Sequence, residues 1–241
     1  MENGAYIGLS RQMVLRTGMD LVANNIANAS TPGYRTQTPL FAEHLADPKG
    51  GREVISMVTD YGQFDSTKEG PMRMTGGELD VALNGPGFFG VNGPEGLQYT
   101  RAGNFTMNNE RELITASGYL VADTGGGAIN IPEDAKEIKI DREGRVSTEQ
   151  GEVGQIMVRE FTNPQMLSPS GSGLYASADE GIPPENTQVF QGQLEGSNVQ
   201  PVFEMTRMIE ISREYQALQR FMQSDHDLQR TAIQRLGRPA G

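Results

Sequence analysis

The pattern of hydrophobic and polar residues divides the chain into three parts. Near each end, apolar residues recur at intervals of three, four or seven residues, which is typical of amphipathic helices. Between the ends, short alternating runs are interrupted by glycine and proline, which indicates β-strands joined by turns. The pattern therefore predicts an α+β protein with a helix at each end and a central, all-β antiparallel barrel or sandwich.

The first helix is predicted close to the start of the chain, where Ile7, Val14 and Leu21 fall at intervals of seven. Other apolar residues widen this stripe to more than one face, so we expect the helix to pack against more than one neighbour. Pro32 cannot donate a backbone hydrogen bond and Gly33 accepts a left-handed turn. The helix should therefore end shortly before these two residues.

Three asparagines, Asn24, Asn25 and Asn28, lie near the end of this helix, although helix interiors disfavour asparagine. Asn24 and Asn28 are four residues apart and share a face. Taken singly, each side chain could simply cap a fraying helix end. Taken together, the three amides favour buried hydrogen bonds that set the register against a neighbouring chain.

The second helix is predicted to begin near Pro201, a residue that suits the first turn. Its apolar residues alternate spacings of three and four, as in a heptad seam, and a second apolar flank lies beside that seam. Isolated helices are only marginally stable in water. We therefore expect the two terminal helices to pair like a coiled coil and to become fully ordered on assembly. The seam residues are Met208, Ile211, Tyr215, Leu218 and Met222.

These patterns predict four consecutive parts along the chain. They are an N-terminal assembly helix with its terminating turn (1–40), a connecting segment (41–74), a central β-rich domain (75–195) and a C-terminal assembly helix (196–241). Within the β-rich domain, the stretch 168–186 is rich in serine, glycine and proline, and we expect it to be a surface loop.

Composition narrows the classes of function. The net charge of −11 argues against a nucleic-acid groove, because phosphate binding depends on clustered lysine and arginine. The absence of cysteine excludes disulfides and thiolate metal sites. No window approaches the length of apolar sequence that a membrane span needs, and the start of the chain lacks the features of a signal peptide. We therefore expect a soluble protein with no nucleic-acid partner and no membrane insertion.

The sequence contains few candidates for catalysis or metal binding. It has two histidines, His44 and His226, and His226 stands between Asp225 and Asp227 on a helix face that we expect to be solvated. Residues 141–144 resemble the start of a calcium loop but lack the later ligands, so a hairpin turn is the simpler interpretation. A pair of catalytic carboxylates in the β domain could be identified only by its geometry. We expect no enzyme activity, no cofactor and no metal.

Four motifs resemble those of the flagellar basal-body rod family. They are NNIANASTPGY at 24–34, GPGFFGV at 85–91, YTRAGNF at 99–105 and QGQLEGSNV at 191–199. They follow one another in the order typical of the family and span nearly the whole chain, which makes the resemblance far more specific than any one motif.

The resemblance implies a structural subunit that polymerises through its terminal helices into the axial drive shaft of the flagellum. Its partners would be other rod subunits and the flagellar type III export apparatus, and it would lie in the basal body, in the periplasm after export. The opening residues and the length favour the proximal rod, with the distal rod as the alternative. An alternative of a different class is a monomeric periplasmic binding module.

Overall fold

The computed structural model describes residues 2–46, 55–65 and 68–236. Helix α1 spans Glu2–Ala27, helix α2 spans Pro201–Leu236, and a 3-10 turn spans Pro164–Met166. The strands are β1 (Gln37–Ala46), β2 (Ile55–Asp65), β3 (Met72–Met74), β4 (Val81–Asn84), β5 (Phe88–Gly93), β6 (Gly96–Thr100), β7 (Thr106–Met107), β8 (Leu113–Ile114), β9 (Leu120–Val121), β10 (Lys139–Ile140), β11 (Arg145–Thr148), β12 (Gly151–Gln155), β13 (Val158–Arg159), β14 (Ser168–Gly171), β15 (Leu174–Ala176), β16 (Gln188–Gln191) and β17 (Gln193–Glu195).

The α+β class and the helix at each end are confirmed. Helix α1 ends just before the predicted signal, because Gly33 has a φ of 69° and the Thr31 amide donates to the Asn28 carbonyl at 3.1 Å. Helix α2 begins with Pro201, and Glu204 in its first turn places a negative charge near the positive end of the helix dipole. Neither described helix has the length and apolarity to cross a membrane.

The described residues form two compact units. The helix–hairpin unit comprises those within 1–27, 37–64 and 200–241, and the β unit comprises those within 28–36 and 65–199. Most of the predicted connecting segment, 41–74, is therefore strand, since β1, β2 and β3 fall largely within it. The four predicted boundaries themselves stay predictions.

The β unit is built from antiparallel sheets. Its largest sheet has the order β14-β15-β6-β5-β9-β8-β7, with β13 also pairing with β5, and β10-β11-β12 form a second sheet. Two further pairs are β16 with β4 and β17 with β3. The prediction of a barrel is wrong, because β14 and β7 end the order of the largest sheet without meeting. Strands of two to six residues, separated by glycine turns, are too short for the ladder to close.

The predicted surface loop at 168–186 is also partly wrong, because it begins with the hairpin of β14 and β15. Ser172 and Gly173 both have positive φ and make its turn, while Leu174 and Tyr175 are buried. A Ser- and Gly-rich composition therefore concealed two packed apolar side chains.

Two apolar clusters form the core of the β unit. In the smaller cluster, the ring of Phe161 meets Phe88 and Tyr99 edge to face, at centroid distances of 5.8 Å and 4.8 Å. The larger cluster contains Val81, Leu83, Phe89, Phe105, Leu113, Val121, Ile129, Ile131, Ile138, Ile140, Val146, Ile156, Val158 and Val189. These residues come from β4, β5, β8, β9, β10, β11, β13 and β16 and from the turns between strands, so several sheets pack on the larger cluster.

Candidate assembly interface

The predicted seam of α2 packs against α1 within the helix–hairpin unit. All five seam residues are half-buried. The two helices run in opposite directions, because Gly8 lies near Met222 and Gly18 near Ile211. The Gln12 side-chain amide donates to the Tyr215 hydroxyl at 2.8 Å. A Cβ added to Gly18 would lie 3.5 Å from the Ile211 Cδ1 atom, and one added to Gly8 would lie 3.2 Å from the Met222 sulfur. The seam is therefore occupied by the chain's own first helix.

Helix α1 presents to α2 a face that is turned by one residue from the predicted stripe. Leu21 is buried and Val14 half-buried, but Ile7 is 42% exposed. The positions one residue later are more enclosed: Gly8, Leu15 and Val22 are all buried. A search for apolar side chains overlooks Gly8 and Gly18, although glycine is what allows two helices to approach closely. Contacts of Ile7, Val14 and Leu21 with a neighbouring chain stay a prediction.

The three asparagines have different surroundings. Asn25 is fully buried; its amide donates to the Gln37 carbonyl at 2.9 Å and its side-chain oxygen accepts from the Gln37 amide at 3.0 Å. The Asn25 amide also lies 3.4 Å from a carboxylate oxygen of Glu204. Asn28 accepts from the Thr31 hydroxyl at 3.1 Å in the turn that ends α1, and Asn24 is exposed. Asn25 thus fixes the start of β1 against α1 within one chain, and an intermolecular role for the three stays a prediction.

Helix α2 also carries large apolar side chains that point into solvent. Val202, Met205 and Ile209 follow one another at spacings of three and four, and they are 75%, 51% and 52% exposed. Phe203, Phe221 and Leu228 are exposed on a second face of the same helix. Contiguous exposed apolar groups of this kind mark interaction surfaces in soluble proteins.

Sequence reasoning missed a buried charge cluster in the β unit, in which Glu195 lies between Arg35 and Arg101. One carboxylate oxygen lies 2.9 Å from Arg35 Nη2 and the other lies 3.1 Å from Arg101 Nη1. All three residues are buried: Arg35 is 5% exposed, Arg101 3% and Glu195 2%. Arg101 and Glu195 lie inside two of the four motifs and Arg35 directly follows a third. These positions were the available signal, because arginine and glutamate are rarely buried unless they are paired.

Neighbouring groups support this cluster. The Gly70 amide donates to Glu195 at 2.9 Å, Arg101 Nη2 donates to the Gly85 carbonyl at 2.6 Å, and Arg35 donates to the Lys68 carbonyl. The Arg101 guanidinium also lies 4.9 Å from the centroid of the Phe88 ring. Burial lowers the pKa of Arg101 to about 10 while Glu195 opposes that shift, so the guanidinium remains charged at neutral pH.

The described residues contain no group of three or more histidine, aspartate or glutamate side chains that could hold a metal ion. The 141–144 segment is a hairpin turn in which the Asp141 carboxylate accepts from the Glu143 and Arg145 amides at 2.9 Å each. Partial burial raises the pKa of Asp141, but the hydrogen bonds from Arg145 and Glu143 outweigh it and the net shift is downward. His226 is exposed on α2, and the side chain of His44 lies outside the described residues.

Comparison with known proteins matches three segments to flagellar families. Residues 6–35 match "Flagella basal body rod protein", residues 82–148 match "Flagellar hook protein FlgE/F/G D1 domain", and residues 191–235 match "Flagellar basal body rod FlgEFG protein C-terminal". Together they include both helices and much of the β unit.

Curated relatives match over nearly the full length. "Flagellar basal-body rod protein FlgF" of Caulobacter vibrioides is 40% identical, with 99% of each chain covered. The FlgF protein of Rhizobium meliloti is 33% identical over 98% of this chain and 99% of its own. "Flagellar basal-body rod protein FlgG" of Bacillus subtilis is 32% identical over 90% of this chain and 92% of its own. The resemblance in the four motifs is confirmed, and the chain belongs to the flagellar basal-body rod protein family, a family of structural proteins.

Proposed function

We propose that this chain polymerises through α1 and α2 into the axial drive shaft of the flagellar rod. As a member of its family, the chain is a structural subunit of the flagellar basal body that assembles with other basal-body proteins. The observation that carries the proposal is the stripe of Val202, Met205 and Ile209, which stays exposed although the α2 seam already has a partner in α1.

Burial of this stripe would drive association. Fully burying one large aliphatic side chain is worth roughly 1.5–3 kcal/mol. Burial of the stripe therefore contributes to association and, together with the other contacts between subunits, offsets the freedom lost when two chains associate. Because the seam of α2 is filled within the chain, a neighbouring subunit has to occupy a different face. The helices then form layers that repeat along the rod, and each pair becomes fully ordered when its outer faces are covered.

Within the rod, we assign the chain to the proximal part, because its resemblance is greatest to FlgF, the proximal-rod subunit of the family. The support is that relatives named FlgF match over 98–99% of this chain, whereas the FlgG protein of Bacillus subtilis matches over 90%. A place in the distal rod is the alternative. Labelling of the chain in basal bodies truncated at successive stages of assembly distinguishes the two.

The route to the rod belongs to the same proposal. A rod subunit must pass the inner membrane before it assembles, and the described helices include none that could anchor in that membrane. We assign this transport to the flagellar type III export apparatus, with the assembled subunit in the periplasm. Recovery of the chain from the periplasmic fraction only in strains with a working export apparatus tests this assignment.

The variant Ile209→Asp tests the assembly surface. A carboxylate in the exposed stripe should abolish motility and keep the chain out of purified basal bodies, while the purified monomer retains its helical circular dichroism. Gln216→Asp is the matched control, because it adds the same charge at an exposed polar position of the same helix. Motile cells with Ile209→Asp in their rods would contradict the proposal and favour a self-contained module.

A further inference from the structure

We propose that Glu195 is a positioning residue that clamps the two connectors of the β unit together. The connectors are residues 28–36, which follow α1, and residues 195–199, which precede α2. The clamp belongs to the monomer, and only its consequence for the rod rests on the proposed function.

The charges of the cluster are the first argument. Glu195 is the only carboxylate in contact with either guanidinium among the described ion pairs, and it divides its two oxygens between them. Within the buried cluster, two positive charges lie against one negative charge, almost out of contact with water. The exposed Glu69 carboxylate adds only a weaker attraction to Arg101. Removal of one member of a buried ion pair is costly because it leaves the other charge without compensation. Loss of the Glu195 charge would do this to two guanidiniums at once.

The backbone around Glu195 is the second argument. The Gly33 amide donates to the Glu195 carbonyl at 2.9 Å, and the Asn198 amide donates to the Tyr34 carbonyl at 3.3 Å. The Asn198 side-chain oxygen accepts from both the Thr36 amide and the Thr36 hydroxyl at 2.7 Å. The two connectors are therefore bonded to each other by main chain and side chain.

The segment at 68–71 completes the clamp. The side-chain amide of Asn198 donates to the Lys68 carbonyl at 2.8 Å, and the backbone amide of Gly196 donates to the Pro71 carbonyl at 2.9 Å. A Cβ on Gly70 would lie only 1.8 Å from the Gly196 carbonyl oxygen, so this approach requires glycine. Three segments that are distant in sequence thus meet at one carboxylate.

A second buried carboxylate provides the comparison. Glu160 accepts from the Glu185 amide at 3.1 Å, the Asn186 amide at 2.8 Å and the Thr187 hydroxyl at 2.7 Å, and it has no arginine partner in the described part of the chain. If Glu195 served only general stability, neutralising either residue would have similar consequences. If Glu195 is a clamp, the two substitutions should loosen different segments of the β unit.

Hydrogen exchange of the dilute, full-length chain tests the clamp. For Glu195→Gln, we expect amide exchange within 31–36, 68–71 and 195–199 to accelerate by at least about tenfold, with β5 and β6 unchanged. For Glu160→Gln, the acceleration should fall at 182–187 and spare the connectors. Equal acceleration throughout the β unit, or none in the connectors, would overturn the proposal.

The variant Arg35→Gln covers the case in which Glu195→Gln does not fold. It leaves the Arg101–Glu195 pair intact, so exchange should accelerate in 31–36 more than in 195–199. Unchanged exchange in 31–36, or the same acceleration in β5 and β6 as in the connectors, would overturn the proposal. Rod incorporation of Glu195→Gln, compared with Glu160→Gln at matched thermal stability, then tests the consequence for assembly. Because exchange is measured on monomers, failure of the clamp is distinguishable from failure of the assembly proposal.

Discussion

At the scale of single residues, the motifs and the residues beside them supply a few buried polar contacts. Arg35, Arg101 and Glu195 come from three separate stretches of sequence and meet in the interior of the β unit. Their charges are tolerated there because each is paired and further held by hydrogen bonds. The aromatic and glycine residues beside them in the motifs provide the surface and the space for this pairing.

Substitution of Gly33 tests whether the close approach of the Arg101 backbone requires glycine. It has a φ of 69°, and an added Cβ would lie 2.4 Å from the Arg101 carbonyl carbon. We expect Gly33→Ala to lower the free energy of unfolding of the β unit by at least about 3 kcal/mol, because left-handed strain adds to a backbone clash. Denaturant unfolding followed by tyrosine fluorescence measures this change.

Gly118→Ala is the control for Gly33→Ala. Gly118 has a φ of 85°, but an added Cβ would meet nothing within 4 Å. The free energy of unfolding of this variant should therefore fall by only about 1–2 kcal/mol, the cost of placing alanine in a left-handed backbone conformation. Equal losses in the two variants would show that the approach of Arg101 to Gly33 is unimportant.

At the scale of elements, hydrophobic spacing predicted both helices and the seam from Met208 to Met222, because an amphipathic period is a local property. It could not identify Gly8 and Gly18, which lie against α2 but carry no apolar side chain. Contacts of the predicted α1 stripe with a neighbouring chain stay a prediction. The cluster around Glu195 was beyond such reasoning, since its members are far apart in sequence. Barrel closure was not predictable either, because it depends on strand register, which short strands barely encode.

In helix α1, replacing a glycine by alanine is expected to raise stability rather than lower it. Gly18 lies inside the helix, and a Cβ there would make an ordinary contact of 3.5 Å with Ile211. Gly18→Ala should therefore stabilise the helix pair by about 1 kcal/mol, because alanine loses less backbone entropy than glycine. Thermal melting followed by helical circular dichroism measures the gain. Gly18→Leu should destabilise the pair, and equal tolerance of alanine and leucine would mean that the helices are not closely packed at this point.

At the scale of the whole molecule, the division into two units matches two tasks. The β unit has its own core, its own charge cluster and bonded connectors. The helix–hairpin unit fills one helix face internally and leaves others exposed, so under the proposed function it would gain stability from neighbouring subunits. Under the proposed function, exposed helix faces of this kind would let subunits add repeatedly to a growing structure, and contacts that do not close would generate a tube.

The measurement that tests the central claim most directly is site-specific cross-linking in purified basal bodies. The chain has no cysteine, so Ile209→Cys provides a single attachment site for a thiol-reactive photo-cross-linker. Glu95→Cys, in an exposed turn of the β unit, is the control for labelling and for nonspecific capture. Our account predicts that Ile209→Cys gives adducts with the terminal helices of neighbouring rod subunits. Assembled rods in which residue 209 labels fully but cross-links to no other subunit would contradict it.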